Sequence, residues 1–183
     1  MDLDTLAEDL RRATVELTSA GHVVGAGVIW APGWIVTNAH VIPHPRVVVR
    51  LADGRRTDAL VAGGDRAADL ALLHVTDLAL PAAMPVQPRT PRIGSLVLAI
   101  GHPFGLRGAL TTGIVHAVGP LMPNGRSWIQ ADLRLAPGNS GGPLADARGH
   151  LVGLNAMIAG GLALAIPVGD VHRFARAVGI PCA

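Results

Sequence analysis

An all-β architecture of two barrels, with a short helix at each end, is predicted for this 183-residue chain by three observations. Short β-branched or apolar runs recur along its length, separated by breaks rich in Gly and Pro. A proline cluster near the middle divides those runs into two sets. Helical spacing of apolar residues is confined to the two ends.

The elements follow in order. Leu3, Leu6, Leu10, Ala13 and Leu17 recur at helical spacing, and Thr5 with Glu8 reads as a capping box. That predicts an amphipathic helix laid on the body of the protein, and its acidic polar face argues against a membrane-surface role. Residues 23–30, a turn at Pro32-Gly33 and residues 34–37 read as a hairpin. Residues 46–51 and 70–75 are further strands. Pro81, Pro85, Pro88 and Pro91 mark the connection between two lobes. Residues 95–100, 109–118, 128–131, 151–158 and 162–166 supply the second set of strands. Residues 151–169 are apolar enough to suggest a membrane span. Asn155, Gly160, Gly161 and Pro167 within them fit two buried strands joined by a glycine turn instead. Asp170 as N-cap, with Val171, Phe174 and Val178 on one face and Gly179 and Pro181 as a stop, predicts the C-terminal helix. The predicted organisation is one unit: helix and first barrel in 1–80, connection in 81–92, second barrel in 93–168 and helix in 169–183.

With half the residues apolar and 15% charged, disorder is excluded. Every basic residue is Arg, and the arginines form no run or stripe. A net charge of +2 so distributed gives no footprint for nucleic acid. Cys182 is the one cysteine, so nothing demands an oxidising compartment. Asp2, Asp4, Glu8 and Asp9 stand where a secretory signal would be basic and then apolar. This predicts a cytoplasmic protein, or an extracytoplasmic one from which a leader has been removed.

The chemistry centres on Gly138-Asn139-Ser140-Gly141-Gly142-Pro143-Leu144. A serine between glycines sits on a backbone able to approach a substrate closely and to aim N–H groups at a developing oxyanion. Such a serine needs a base, and histidine is the usual one near neutral pH. Of eight histidines, His40 follows a strand-like run at a Thr37-Asn38-Ala39 turn, where a side chain projects into a cleft. The base needs a carboxylate to fix its tautomer. Asp69 opens the apolar segment 70–73; Asp65, in a Gly-Gly-Asp-Arg turn, is the rival. No cofactor or metal is called for. His40 and His44 have the i, i+4 spacing of a zinc helix, but Pro43 and Pro45 break any helix there.

In order along the chain, Gly25–Ile29, Trp34–Ile42, Asp69–Leu73, Val97–Gly105, Thr112–Val115, Ile129–Asp132, Gly138–Leu144, Gly153–Asn155 and Ala165–Pro167 resemble the protease domain of the HtrA/Deg branch of chymotrypsin-like serine peptidases. The resemblance implies two six-stranded-type barrels of the chymotrypsin-like fold, with His40 and Asp69 from the first and Ser140 from the second. It implies Ser140 as nucleophile, His40 as base and then acid, and Asp69 as orienter. The oxyanion hole would be the Gly138-Asn139-Ser140 turn, with the N–H groups of Gly138 and Ser140 as donors. Leu135, Asn155, Ala156 and Met157 would line the specificity pocket. No acid other than Asp132 lies in these stretches, which argues against a preference for Arg or Lys and in favour of small to medium aliphatic residues at the cleaved position. The function implied is a serine endopeptidase of protein quality control, acting on unfolded or extended segments.

The sequence departs from that pattern in several places. His102 replaces the Asn of the usual Asn-Pro-Phe-Gly element, Ala136 replaces an Asn, and the segment after Met157 is short. The chain ends where relatives usually begin a peptide-binding PDZ domain. The aromatic N-terminal segment of trimeric relatives is not evident, which leaves monomer or trimer open. Two other readings remain: a latent or non-catalytic binding or chaperone module on a protease fold, and an esterase or lipase. The second is disfavoured because too few residues follow Ser140 for that order of catalytic groups.

Overall fold

The computed structural model describes residues 2–77, 79–81, 83–86 and 89–180; Pro88, Pro181 and Cys182 lie outside the described residues. The first six strands are β1 (Thr14–Ser19), β2 (His22–Ala31), β3 (Trp34–Thr37), β4 (Arg46–Arg50), β5 (Arg56–Asp65) and β6 (Leu70–His74). They close an antiparallel barrel in the order β1-β2-β3-β6-β5-β4. The next six are β7 (Leu96–Gly101), β8 (Ala109–Pro120), β9 (Ser127–Asp132), β10 (Pro143–Asp146), β11 (Leu151–Ala159) and β12 (Leu162–Pro167). They close a second barrel with the same winding, β7-β8-β9-β12-β11-β10. Strands β1, β5 and β10 are not among the runs expected from the sequence.

Period-2 alternation explains how short apolar runs make three cores. Ile29, Ile35, Val49 and Leu73 fill the first barrel, and Val97, Ile129, Ala131 and Ala165 fill the second. Their neighbours point the other way. Val28, Trp30, Leu72, Leu98, Ile100, Leu164 and Ile166 join the helices in a third buried cluster between and around the barrels. With both faces buried, β7 and β12 read as continuous apolar runs rather than as alternating ones.

Helix α1 (Leu3–Arg12) buries Leu6 and Leu10. Its N-cap is Asp2, whose carboxylate accepts the Thr5 N–H at 2.8 Å. The expected Thr5–Glu8 box gives way to it, and Glu8 instead pairs with Arg11 and Arg12. Leu17 is not helical but lies in β1, because the helix ends at Arg12. Helix α2 (Val168–Ala177) takes Pro167 as its N-cap, which places Asp170 inside the first turn rather than at the cap. There it still complements the helix dipole, and it pairs with Arg173. The helix ends in a Schellman motif. Gly179 N–H donates to the Arg176 carbonyl and Ile180 N–H to the Ala175 carbonyl, both at 3.0 Å. Val171 and Ala175 are buried and Phe174 partly so, whereas Val178 faces solvent.

The hairpin turn at Pro32-Gly33 and the Gly160-Gly161 turn between β11 and β12 are both where the sequence predicts them. Between β6 and β7 the chain touches both barrels: Met84 N–H donates to the Ile29 carbonyl at 3.3 Å, and the Pro85 carbonyl accepts from Leu151 at 2.7 Å. No helix among the described residues is long and apolar enough to cross a membrane.

Candidate active site

The first barrel supplies a histidine and a carboxylate. Where β3 ends at Thr37, the chain makes a single 3-10 turn over Ala39–Val41, which leaves the His40 side chain 45% exposed at the cleft. Asp69 immediately precedes β6 with φ at 54°, a left-handed conformation that Asp tolerates better than most residues. Buried Asn38 ties this backbone down, donating from Nδ2 to the Asp69 carbonyl at 3.1 Å. The Asp69 carboxylate accepts the His40 backbone N–H at 3.0 Å, and its two oxygens lie 3.0 and 2.9 Å from His40 Nδ1. A carboxylate only accepts, so in the neutral ring it selects the tautomer with the proton on Nδ1 and the lone pair on Nε2. Asp65 is occupied elsewhere: its carboxylate closes its own turn by accepting from Ala67 and Ala68, both at 2.9 Å.

The second barrel supplies the serine loop, which both barrels clamp. Ala26 N–H in β2 donates to the Ser140 carbonyl at 2.8 Å, and Thr37 Oγ donates to the Ala26 carbonyl at 2.7 Å. Gly141 has φ at +81°, and a β-carbon there would strike both the Ala26 carbonyl and the Thr37 hydroxyl. Gly138 has φ at +106°, and its missing β-carbon makes room for the His102 carbonyl. Among the described residues no acceptor takes the N–H of Gly138 or of Ser140. Asn139 N–H, by contrast, already donates to the Ala136 carbonyl at 3.0 Å, so it is not a free donor. Ser140 Oγ donates to the Ala156 carbonyl at 3.0 Å rather than to His40.

His40 and Ser140 line the same cleft of about 750 Å³, together with Leu135, Ala156 and Met157. Phe104 and Ile158 stand exposed at its rim. Asn155 does not line it. Its side chain is fully buried and its Nδ2 donates to the Pro143 carbonyl at 2.8 Å, while its own carbonyl accepts Gly141 N–H at 2.8 Å. Asn155 therefore braces the serine loop from behind. Asp132 lies exposed at the end of β9, and no acidic side chain is among the described residues lining the cleft. Asn38 and Thr37 are supports that sequence reasoning missed; their adjacency to His40 was the available signal. His102 is buried beside the loop, and burial pushes its imidazole below the ordinary range against the opposing pull of Glu16 and the Val15 carbonyl.

Residues 25–154 match the family described as Trypsin-like peptidase domain. This chain belongs to the trypsin-like peptidase family. Within it, the peptidase domain is of the HtrA/Deg type. It is 41% identical over 155 residues to a protein of Pseudomonas savastanoi pv. phaseolicola named probable periplasmic serine endoprotease DegP-like, covering 79% of this chain and 32% of that one. It is also 41% identical over 140 residues to serine endoprotease DegS of Escherichia coli K12, covering 73% of this chain and 39% of that one. The chain thus spans about a third of the length of the curated relatives it matches. A solved structure of the serine endoprotease from Yersinia pestis superposes with a TM-score of 0.85 at 32% identity, covering 97% of this chain and 66% of that one. The two closed barrels are those of the chymotrypsin-like fold.

Proposed function

We propose that this peptidase domain is a serine endopeptidase in which Ser140 is the nucleophile, His40 the base and Asp69 the residue that holds His40. The observation that carries the reading is the double hold of Asp69 on His40, through Nδ1 and through the backbone N–H. It fixes the ring with Nε2 unprotonated and directed away from Asp69, in a cleft that Ser140 shares. Ser140 Oγ attacks the scissile carbonyl while His40 Nε2 takes its proton. The oxyanion is received by the N–H groups of Gly138 and Ser140. His40 then protonates the leaving amine, and a water hydrolyses the acyl-enzyme by the same relay.

The substrate is an extended or unfolded protein segment. In β11, pairing with β10 stops at Leu154, whereas pairing with β12 continues to Ala159. Residues 157–159 therefore have a strand on one side only, and an extended peptide can add to the other. The apolar lining by Leu135, Ala156 and Met157 supports small to medium aliphatic residues at the cleaved position. The DegP-like relatives are named as periplasmic proteins, which supports the extracytoplasmic alternative over the cytoplasmic one.

The test is digestion of casein by wild type and by Ser140→Ala, with cut sites mapped by mass spectrometry. Cuts made by wild type alone are expected, clustered after aliphatic residues; equal cutting by both proteins sinks the mechanism. One observation favours a second reading, a latent enzyme or a binding module: the Ser140 hydroxyl is engaged by Ala156 rather than by His40. Absence of cutting by either protein, with casein retained by both, selects it.

A further inference from the structure

A second cavity of about 440 Å³ adjoins the loop that begins at His102. Its walls come from α1 through Arg11, β1 through Glu16, β4 through Arg50, and the loop itself through His102 and Arg107. Three guanidiniums face one carboxylate. Glu16 lies 3.6 Å from Arg50 Nη1, and Glu8, the partner of Arg11 outside the cavity, is shared with Arg12.

The donors outnumber the acceptors. Arg11 Nε and Arg50 Nε are buried with no hydrogen-bond partner, and Arg107 is exposed with no acceptor among the described residues. His102 is 6% exposed. Its Nδ1 accepts the Gly108 N–H at 3.2 Å, so in the neutral ring Nε2 carries the proton. That Nε2–H is also buried and makes no full hydrogen bond, having only the neighbouring Val15 carbonyl to pull on it. Buried donors left unmatched are costly, and charged ones most of all. An acceptor-rich group in the cavity removes that cost.

We propose that this cavity is a binding site for a small oxyanion, a phosphate or a carboxylate, held by Arg11, Arg50 and Arg107 with the His102 Nε2–H. A bound oxyanion bridges the first barrel to the 102–108 loop, whose first residue is hydrogen-bonded to Gly138. The site is independent of the peptidase reading, since binding needs no turnover.

The experiment is titration calorimetry of the full chain with inorganic phosphate at constant ionic strength, with chloride as the control. A parallel melting series should show Tm rising with phosphate concentration. Saturable binding is expected, with Kd weakened about tenfold in Arg107→Ala and further in Arg11→Ala/Arg107→Ala. Arg107 is exposed, so its removal leaves the fold intact, as circular dichroism would check. No saturation, or equal affinity in wild type and both variants, overturns the site. A tetrapeptide tested as free acid and as amide separates the sources. Competition with phosphate by the acid alone points to a chain end, and phosphate binding without peptide competition points to the free anion.

Discussion

His102 and Gly138 clasp each other through the backbone. The His102 N–H donates to the Gly138 carbonyl at 3.0 Å, and the His102 carbonyl fills the space where a β-carbon on Gly138 would stand. The serine loop is therefore shaped by an absence. Gly138→Ala forces the carbonyl aside or rotates the 138 peptide, and either displaces an N–H proposed to receive the oxyanion. The expected outcome is a fall in kcat of about 10²–10³, roughly 2.7–4 kcal/mol of transition-state stabilisation. Steady-state kinetics on a chromogenic peptide check it, and an unchanged kcat removes Gly138 from the oxyanion hole.

Asp69→Asn keeps the shape of the side chain but can donate to His40 Nδ1, favouring the wrong tautomer. A loss of about 10⁴ in kcat with little change in KM is expected, from the behaviour of such triads in general. Loss of KM alone would assign Asp69 to substrate binding.

Acid should loosen the region around His102. The folded protein holds this imidazole below the ordinary value of 6.5 through burial. Between that folded value and 6.5 the unfolded chain binds the proton and the folded chain resists it, so stability rises with pH across the window. The contribution is complete above 6.5 and is lost as pH falls below it. Melting curves from pH 7.5 to 5 are expected to show a falling Tm, with a shallower slope in His102→Asn. Parallel slopes in the two proteins would exclude His102 as the cause.

Asn155 and Met157 separate bracing from recognition. Asn155→Ala removes a buried hydrogen bond and leaves the Pro143 carbonyl without its donor, at an expected cost of about 1–3 kcal/mol in denaturant unfolding. Met157 is 46% exposed at the cleft, so Met157→Ala should shift the cleavage pattern while leaving the melting temperature nearly unchanged. The reverse pattern would restore Asn155 to the pocket.

These contrasts also show what could be read in advance. The strands with both faces buried were legible because Val97–Ile100 and Leu162–Ile166 have no other comfortable fate. β1 was hidden because Leu10, Ala13 and Leu17 keep a helical spacing across a helix end that the local pattern does not announce. β5 carries mostly exposed residues and two glycines, so it lacks the apolar signal, and β10 is four residues long and begins with proline. In the site, His40 and Ser140 stood out by their neighbours, while the apolar segment after Asp69 put it only moderately ahead of Asp65 until the resemblance decided between them. The side chain of Asn155 could not be aimed from sequence, because the register of β11 on β12 shifts between Asn155 and Met157. Alternation fails at a bulge.

The one-sided stretch of β11 has a further consequence for how copies of this molecule meet. Closing each barrel removes the free strand edges through which β proteins stick together. The rung at 157–159 keeps one side open beside the cleft that His40 and Ser140 share, rather than on an open flank. A loose extended chain can thread in beside it, but the same rung of a second folded copy is recessed in a cleft of its own. The recess that admits an unfolded guest therefore keeps this rung from pairing edge to edge with its counterpart in a second folded copy.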